Sequence, residues 1–249
     1  MLGKQQGSFL KVEGLVMIVG FIMFILNIYA NAFLSEEASK FIGLITSLIL
    51  AMVCVVLLFK LKRMVRFVYV DYLLVASALW TLGELGFMLY DYGYIDEIYA
   101  HIPRMLAYIY LFIGLWSIRE EFFLYHDKLR LIICAMIVII YTLFTLYLAY
   151  SYKHELDIIG MINHIYPILD IILFGIAAYI VLGIAGFSPF LTLLTLSFIV
   201  FATSDLAYSY TVHLGIYDEW AYLLIDPIYN LAYLLFAFAV YLKIKTVGR

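Results

Sequence analysis

Runs of about twenty apolar residues follow one another along almost the whole chain, and each is long enough to cross a bilayer as a helix. Of the 249 residues, 67% are hydrophobic and 13% are charged, which is too few charges to cover a soluble globule. We therefore predict an all-α integral membrane protein, with residues 1–249 forming a single polytopic domain. Its eight predicted spans are residues 14–34, 41–61, 67–90, 103–119, 130–151, 163–183, 190–212 and 221–242.

The Lys and Arg residues fall almost entirely on one side of this arrangement. Twelve of the fifteen lie in the N-terminal tail, the second, fourth and sixth loops, or the C-terminal tail; the others are Lys40, Arg104 and Lys153. Positively charged segments flanking membrane helices stay on the cytoplasmic side. We therefore expect a multi-pass protein of the plasma membrane with both termini in the cytoplasm.

Two stretches of the chain follow one plan. Glu84-Leu85 corresponds to Asp205-Leu206, a Gly-x-x-Asp-Glu loop occurs at 93–97 and 215–219, and Leu-Ala-Tyr occurs at 106–108 and 231–233. Halves of four helices have the same orientation, related by a pseudo-two-fold axis along the membrane normal. This predicts two parallel four-helix repeats, at about 14–119 and 130–242. The alternative is chance similarity between apolar helices.

Acidic side chains within the apolar runs mark the candidate site. An ionised side chain at mid-bilayer costs ~2.5–3.5 kcal/mol on insertion scales, so it needs a reason to be there. The candidates Glu84, Asp170, Asp205 and Asp226, with Asn230, all fall in the outer halves of their spans, which predicts a pocket reached from outside. Because neighbouring carboxylates repel one another, some would stay protonated or a cation would join them.

Helical spacing gives most of these acids a polar neighbour, since residues three or four apart share a helix face. The pairs are Tyr166 with Asp170, Tyr208 with Asp205, and Asn230 with Asp226. Arg104 is the expected partner of Glu84, because it is the only cation near an outer helix entrance. Asp71 is expected to form an interfacial ion pair with Lys62 or Arg66 at the inner surface.

A structural role for these acids is the alternative. Asp170 and Asp205 could each be satisfied by Tyr and Ser side chains across helices. Asp226 directly precedes Pro227 and could partly cap its helix. Pro167 and Pro227 are both predicted in about the first turn of a helix, where the missing N–H costs little.

Several kinds of site lack support in the sequence. The net charge of −3 gives no indication of nucleic-acid binding. There is no phosphate-binding glycine loop, no Gly-x-Ser-x-Gly motif and no lysine within a span to hold retinal, so no cofactor is expected and a rhodopsin is excluded. The outer-side histidines lack the spacing of zinc ligands, which leaves a metal site undecided. These histidines are His101, His154, His164 and His213.

The second half carries an ordered set of motifs over about 163–242. They are Tyr166-Pro167-Ile168-Leu169-Asp170, Ser204-Asp205-Leu206-Ala207-Tyr208, Gly215-x-Tyr217, and Asp226 before an Ala-rich last helix. This set resembles the membrane sensory regions ahead of some bacterial diguanylate cyclases and histidine kinases. The resemblance implies that Asp170, Asp205, Tyr208 and Asp226 contact a stimulus. No signalling domain follows Arg249, so the expected output partner is a separate cytoplasmic protein.

Gly83-Glu84 and Ser204-Asp205 are similar, more loosely, to the intramembrane Gly-Asp and Ser-Asp elements of lysoplasmalogenase-like proteins, which also have eight spans. The first element departs from that pattern, with Glu in place of Asp. The resemblance implies that Glu84 and Asp205 would be catalytic, activating water against a lipid vinyl ether.

The leading hypothesis is a stand-alone membrane sensor or small-ligand or cation-binding protein, with an outward-facing acidic pocket between its two halves. Its partners would be the bilayer, a small ligand or cation from the outer side, and a cytoplasmic signalling protein. The predicted ligand-binding residues are Glu84, Arg104, Tyr166, Asp170, Asp205, Tyr208, Asp226 and Asn230. The alternatives are an intramembrane lipid hydrolase of the lysoplasmalogenase type and a cation- or proton-coupled small-solute transporter.

Overall fold

The computed structural model describes residues 3–122, 128–151, 158–183, 188–214 and 224–248, and the regular structure in these ranges is helical. Each of the eight helices contains a segment long and apolar enough to cross a bilayer, which confirms the predicted all-helical, eight-span architecture. The helices are α1 Gly3–Phe33, α2 Glu36–Met64, α3 Val68–Asp91, α4 Ile98–Glu121, α5 Lys128–Ser151, α6 Ile158–Gly183, α7 Pro189–Leu214 and α8 Asp226–Val247.

Five helices begin five or more residues away from their predicted positions. Two of them are α2, which begins at Glu36 rather than at 41, and α6, which begins at Ile158 rather than at 163. α1 begins at Gly3 rather than at 14, although only Val12–Phe33 is apolar enough to span the bilayer. α4 begins at Ile98 rather than at 103, because Pro103 is accommodated inside the helix at the loss of one backbone hydrogen bond. α8 begins at Asp226 rather than at 221 and continues to Val247.

The two prolines with predicted first-turn positions behave differently. Pro227 is the second residue of α8, as predicted. Pro167 lies well inside α6, so its predicted position was wrong. Within a membrane helix, losing one backbone hydrogen bond at a proline costs less than leaving the backbone groups of the residues before it without hydrogen bonds. The capping prediction for Asp226 was also wrong, because the N-cap residue is Ile225 and no side chain bonds there. Asp226 is instead the first helical residue, where the helix dipole favours a negative charge.

The helices differ in how deeply they are packed. Half of the span segment of α7 is buried within the protein, against only 11% of that of α5. The outward face of α5 is nonetheless apolar, with Leu129, Ile132 and Ile140 exposed. A continuous apolar surface of this kind suits lipid rather than water. The described residues are therefore those of a multi-pass membrane bundle with α5 at its periphery.

α5 is attached to the bundle through Tyr141. Its ring stacks on Phe174 of α6 with centroids 4.1 Å apart, and its hydroxyl donates a 2.8 Å hydrogen bond to the carbonyl oxygen of Ala202 on α7. The main hydrophobic core is separate and takes residues from α2, α3, α4, α6, α7 and α8. This core surrounds the polar groups described below.

Lys and Arg side chains gather at one end of the bundle, which we call the basic end; it holds the end of α2, the start of α3 and the end of α8. Lys62 Nζ lies 2.8 Å from Asp71 Oδ1, which confirms the predicted ion pair there. Glu13 of α1 is 1% exposed and contacts the ammonium groups of both Lys60 and Lys245. This acid was not singled out from the sequence, yet it connects the first, second and last helices.

Close packing between α3 and α4 depends on residues without bulky side chains. A Cβ atom added to Gly86 would lie 2.8 Å from the Cα atom of Ala100, and one added to Gly83 would lie 2.5 Å from the Cγ atom of Arg104. Small residues at such positions let membrane helices approach closely and gain van der Waals contact. The distance between α3 and α4 is therefore set by Gly83, Gly86 and Ala100.

Replacing Gly86 with Ala should destabilise the bundle by about 1–3 kcal/mol, because the new methyl group meets backbone that can move only with the whole helix. The measurement is the melting temperature in detergent. Gly175→Ala is the matched control, since a Cβ atom there would lie 3.8 Å from Val138, an ordinary contact. Equal melting temperatures for the two variants would contradict the close α3–α4 approach.

Candidate functional site

Glu84 is the centre of a hydrogen-bonded group in the core. Its Oε1 atom accepts bonds from Arg104 Nη2 at 2.6 Å, from the Tyr233 hydroxyl at 2.7 Å and from Trp80 Nε1 at 3.2 Å. The side chain of Glu84 is 5% exposed. The predicted Glu84–Arg104 pair is thus confirmed, and Tyr233 and Trp80 are partners that the sequence did not identify. Trp80 precedes Glu84 by one helical turn, so both lie on one face of α3.

Arg104 reaches Glu84 by lying against α3. Its stem passes over Gly83, where no side chain blocks it. Its guanidinium carbon lies 4.2 Å from the ring centroid of Phe87 and 5.8 Å from that of Trp80, so two aromatic faces supplement the ion pair. Within the described residues, its Nε atom is buried without a hydrogen-bond partner.

Two further predicted acids lie near this group. Asp170 of α6 is 2% exposed, and its Oδ1 atom accepts a 2.6 Å bond from the hydroxyl of Tyr108 on α4. Asp205 of α7 interacts electrostatically with Asp170 and with both Glu84 and Arg104. The structure therefore brings together three of the four predicted acids. We call Glu84, Arg104, Asp170 and Asp205, with Tyr108 and Tyr233, the carboxylate cluster.

A line of polar side chains connects the carboxylate cluster with the loop between α3 and α4. Glu97 Oε1 lies 3.2 Å from Nε2 of His101, and Nδ1 of His101 lies 2.9 Å from the hydroxyl of Tyr166. The ring of Tyr166 in turn lies 6.0 Å from that of Tyr108. His101 was considered only as an outer-side histidine, but it is buried within α4.

Asp226 and Asn230 belong to a second group, between α1, α2 and α8. Asn230 accepts a 2.8 Å bond from Ser47 and donates a 3.2 Å bond to Asn27 Oδ1. Asp226 Oδ2 faces Gly43, where an added Cβ atom would lie 3.2 Å from it. The shared face predicted for Asp226 and Asn230 is thus directed at α1 and α2, and Asp226 reaches Glu84 only through electrostatics.

The remaining predicted features lie at the edge of the described region or beyond it. Tyr208 is 44% exposed, so much of its ring is directed away from the protein interior. The second Gly-x-x-Asp-Glu loop, at 215–219, lies outside the described residues, as do the side chains of His154, His164 and His213. Among the side chains that are described, no three His, Cys, Asp or Glu residues are grouped as metal ligands.

An apolar cavity of about 60 Å³ lies beside the carboxylate cluster. Trp80 and Tyr233 form part of its wall while their polar atoms bond to Glu84 on the other side. None of the predicted acids lines it, because Glu84 and Asp170 are enclosed by their own hydrogen-bond donors. This cavity therefore differs in its lining from the acidic pocket that was predicted.

Tyr108 and Tyr233 are the main site residues that sequence reasoning missed. They occupy equivalent places in the repeated Leu-Ala-Tyr motif, and each donates a hydrogen bond to a buried carboxylate on another helix. The repeat itself was the available signal, because a polar residue kept at the same place in two apolar helices needs a partner in both.

Comparisons with known proteins do not assign the chain to a family. No protein-family model, curated protein or solved structure matches the chain. The two resemblances drawn from its motifs therefore stay predictions.

Two tyrosines of α8 allow the hydrogen bonding of the carboxylate cluster to be tested. Tyr233→Phe should lower the stability of the bundle by about 1–2 kcal/mol, because it removes a buried hydrogen bond to a carboxylate. Tyr229→Phe should be neutral or slightly stabilising, because the buried Tyr229 hydroxyl has no hydrogen-bond partner among the described residues. The measurement is the free energy of unfolding in mixed micelles. A loss at Tyr229 equal to that at Tyr233 would contradict the arrangement around Glu84.

Proposed function

We propose that the protein is a stand-alone membrane sensor that binds a small cationic ligand at the carboxylate cluster. The observation that carries this proposal is a charge imbalance. In the described core, Glu84 is paired with the guanidinium of Arg104, whereas the buried carboxylate of Asp170 has the Tyr108 hydroxyl as its hydrogen-bond donor and no ion pair with a described Lys or Arg. The tyrosines around them donate hydrogen bonds but bring no positive charge.

An uncompensated negative charge is costly in an apolar interior, so buried charges are paired, neutralised or bound to a cation. Glu84 already has Arg104, which leaves the charge of Asp170 to be balanced. Asp170 comes from α6 and its neighbour Asp205 from α7, whereas Tyr108 and Arg104 come from α4. A cation bound between them would stabilise one arrangement of these helices over another, which is how a ligand shifts a conformational equilibrium.

Such a ligand would enter from the end of the bundle opposite the basic end. Glu97, His101 and Tyr166 form a polar sequence of contacts from the α3–α4 loop toward the carboxylate cluster. We place this end outside the cell and the basic end, with both termini, in the cytoplasm of a cell bounded by the plasma membrane. The distribution of Lys and Arg supports that orientation.

The proposal includes two parallel repeats of four helices. Helix neighbours support it: α1 packs on α2, α2 on α3 and α3 on α4, and α5 to α8 pack in the same succession. Between the halves, α2 packs on α8 as α6 packs on α4. The Tyr108–Asp170 bond crosses from one half to the other, so ligand binding at Asp170 would alter the contact between the halves. A cytoplasmic partner would read that change at the basic end.

Lipid hydrolysis is less well supported by the geometry. A general base has to take a proton from water, and the guanidinium of Arg104 stabilises the ionised form of Glu84, which makes its carboxylate a weaker base. Turnover of a lysolipid in proteoliposomes, lost in Asp205→Asn, would favour the hydrolase instead. Movement of cations into empty proteoliposomes would favour the transporter.

The cation proposal predicts that the melting temperature of the purified protein rises with one of Na⁺, K⁺, Mg²⁺ or Ca²⁺, compared with choline chloride at equal ionic strength. Asp170→Asn should abolish the rise and melt higher than the wild type in choline chloride, because it removes one excess negative charge. Asp71→Asn is the matched control, since Asp71 lies in an exposed ion pair at the basic end.

Two results would contradict this prediction. One is a cation effect that Asp170→Asn and Asp71→Asn retain equally, which would place the cation elsewhere. The other is a melting temperature that none of the four cations raises, which would leave protons to balance the carboxylates.

A further inference from the structure

We propose that the apolar cavity beside the carboxylate cluster is a binding site for a small apolar molecule with a single ring, such as an aromatic hydrocarbon. The cavity lies between α2, α3, α4, α7 and α8. Its wall includes both small residues and aromatic rings, among them Ala51, Cys54, Ala76, Phe198, Phe201 and Phe236. The site is formed by apolar lining residues and does not require a cation at the carboxylate cluster.

The size of the cavity sets the size of the ligand. A space that just holds one water measures roughly 10–15 Å³ on this scale, so about 60 Å³ corresponds to roughly four to six water-sized spheres. An engineered apolar cavity of about 150 Å³ takes up benzene, so a single ring is the largest ligand that this cavity could hold, and its walls would move outward to admit it.

The lining decides the chemistry of the ligand. The indole N–H of Trp80 and the hydroxyl of Tyr233 bond to Glu84, and the Ser197 hydroxyl donates to the carbonyl oxygen of Leu194 at 2.6 Å. These three polar atoms are therefore already committed to protein partners, and the Ser77 hydroxyl is a further polar group in the lining. Apolar cavities of this kind hold no ordered water and take up benzene or xenon. A ligand with hydrogen-bonding groups would have to leave them unsatisfied, at a cost of about 1–3 kcal/mol for each.

Occupancy of the cavity would be felt at the carboxylate cluster. The rings of Trp80 and Tyr233 form the boundary between the two, contacting the cavity with one face and holding Glu84 with their polar atoms. Phe201 packs edge-on against Trp80 at 4.8 Å and also lines the cavity. A ring placed there would restrict the movement of all three side chains.

Fluorobenzene is a suitable probe, followed by fluorine NMR of the full-length protein in nanodiscs, with empty nanodiscs subtracted. The wild type should bind it saturably. Ala76→Leu fills the cavity and should weaken binding at least about tenfold, a loss of about 1.4 kcal/mol. Ala78→Leu is the matched control, because Ala78 lies two residues along the same helix and does not line the cavity. It should bind the probe like the wild type.

A second variant keeps the test decisive if Ala76→Leu does not fold. Cys54→Ala enlarges the cavity and should allow saturable binding of fluoronaphthalene, which the wild type should bind at least about tenfold more weakly. The proposal is overturned if wild-type binding of fluorobenzene is not saturable, or if Ala76→Leu and Ala78→Leu bind it equally. It is also overturned if fluorodecane displaces fluorobenzene at equal concentration, because the occupant would then be a lipid chain.

Discussion

A carboxylate can remain inside this apolar bundle only if its charge is met, and the arrangement of α3, α4 and α8 follows from that requirement at Glu84. Arg104 supplies the charge from α4, and it reaches Glu84 because Gly83 leaves room for its stem. Tyr233 of α8 completes the group. The close approach of α3 to α4 and the position of α8 thus both serve to stabilise the buried charge of Glu84.

Asp170 meets the same constraint without an ion pair among the described residues. Asp170 has the Tyr108 hydroxyl, and Asp205 has the electrostatic influence of Arg104 together with the repulsion of its acidic neighbours. A hydroxyl lowers the cost of a buried carboxylate but does not neutralise it. Asp170 is therefore a buried acid whose described contacts supply a hydrogen bond and no ion pair, which is the feature that the proposed cation site rests on. The cavity beside it shows the opposite character, being apolar and free of ion pairs in its lining.

The features that could be predicted from the sequence were those governed by local composition. Hydropathy located all eight spans, and scarcity of charge identified the Glu84–Arg104 and Asp71–Lys62 pairs, because each acid had few cations within reach. The partners of Asp170 and Asn230 could not be found in the same way. Helices in a membrane are apolar on every side, so their patterns do not reveal which face meets which neighbour. The bonds Tyr108–Asp170 and Asn27–Asn230 join residues far apart in the chain, and only the packed bundle brings them together.

The contacts of Glu13 join helices that are far apart in the sequence. Lys60 follows Glu13 by 47 residues and Lys245 follows it by 232 residues, yet both ammonium groups contact its carboxylate. Asn27 and Asn230 add a second polar contact between α1 and α8. Displacing α8 would therefore leave polar groups of α1 without partners in an apolar bundle, so the two helices depend on each other for their positions.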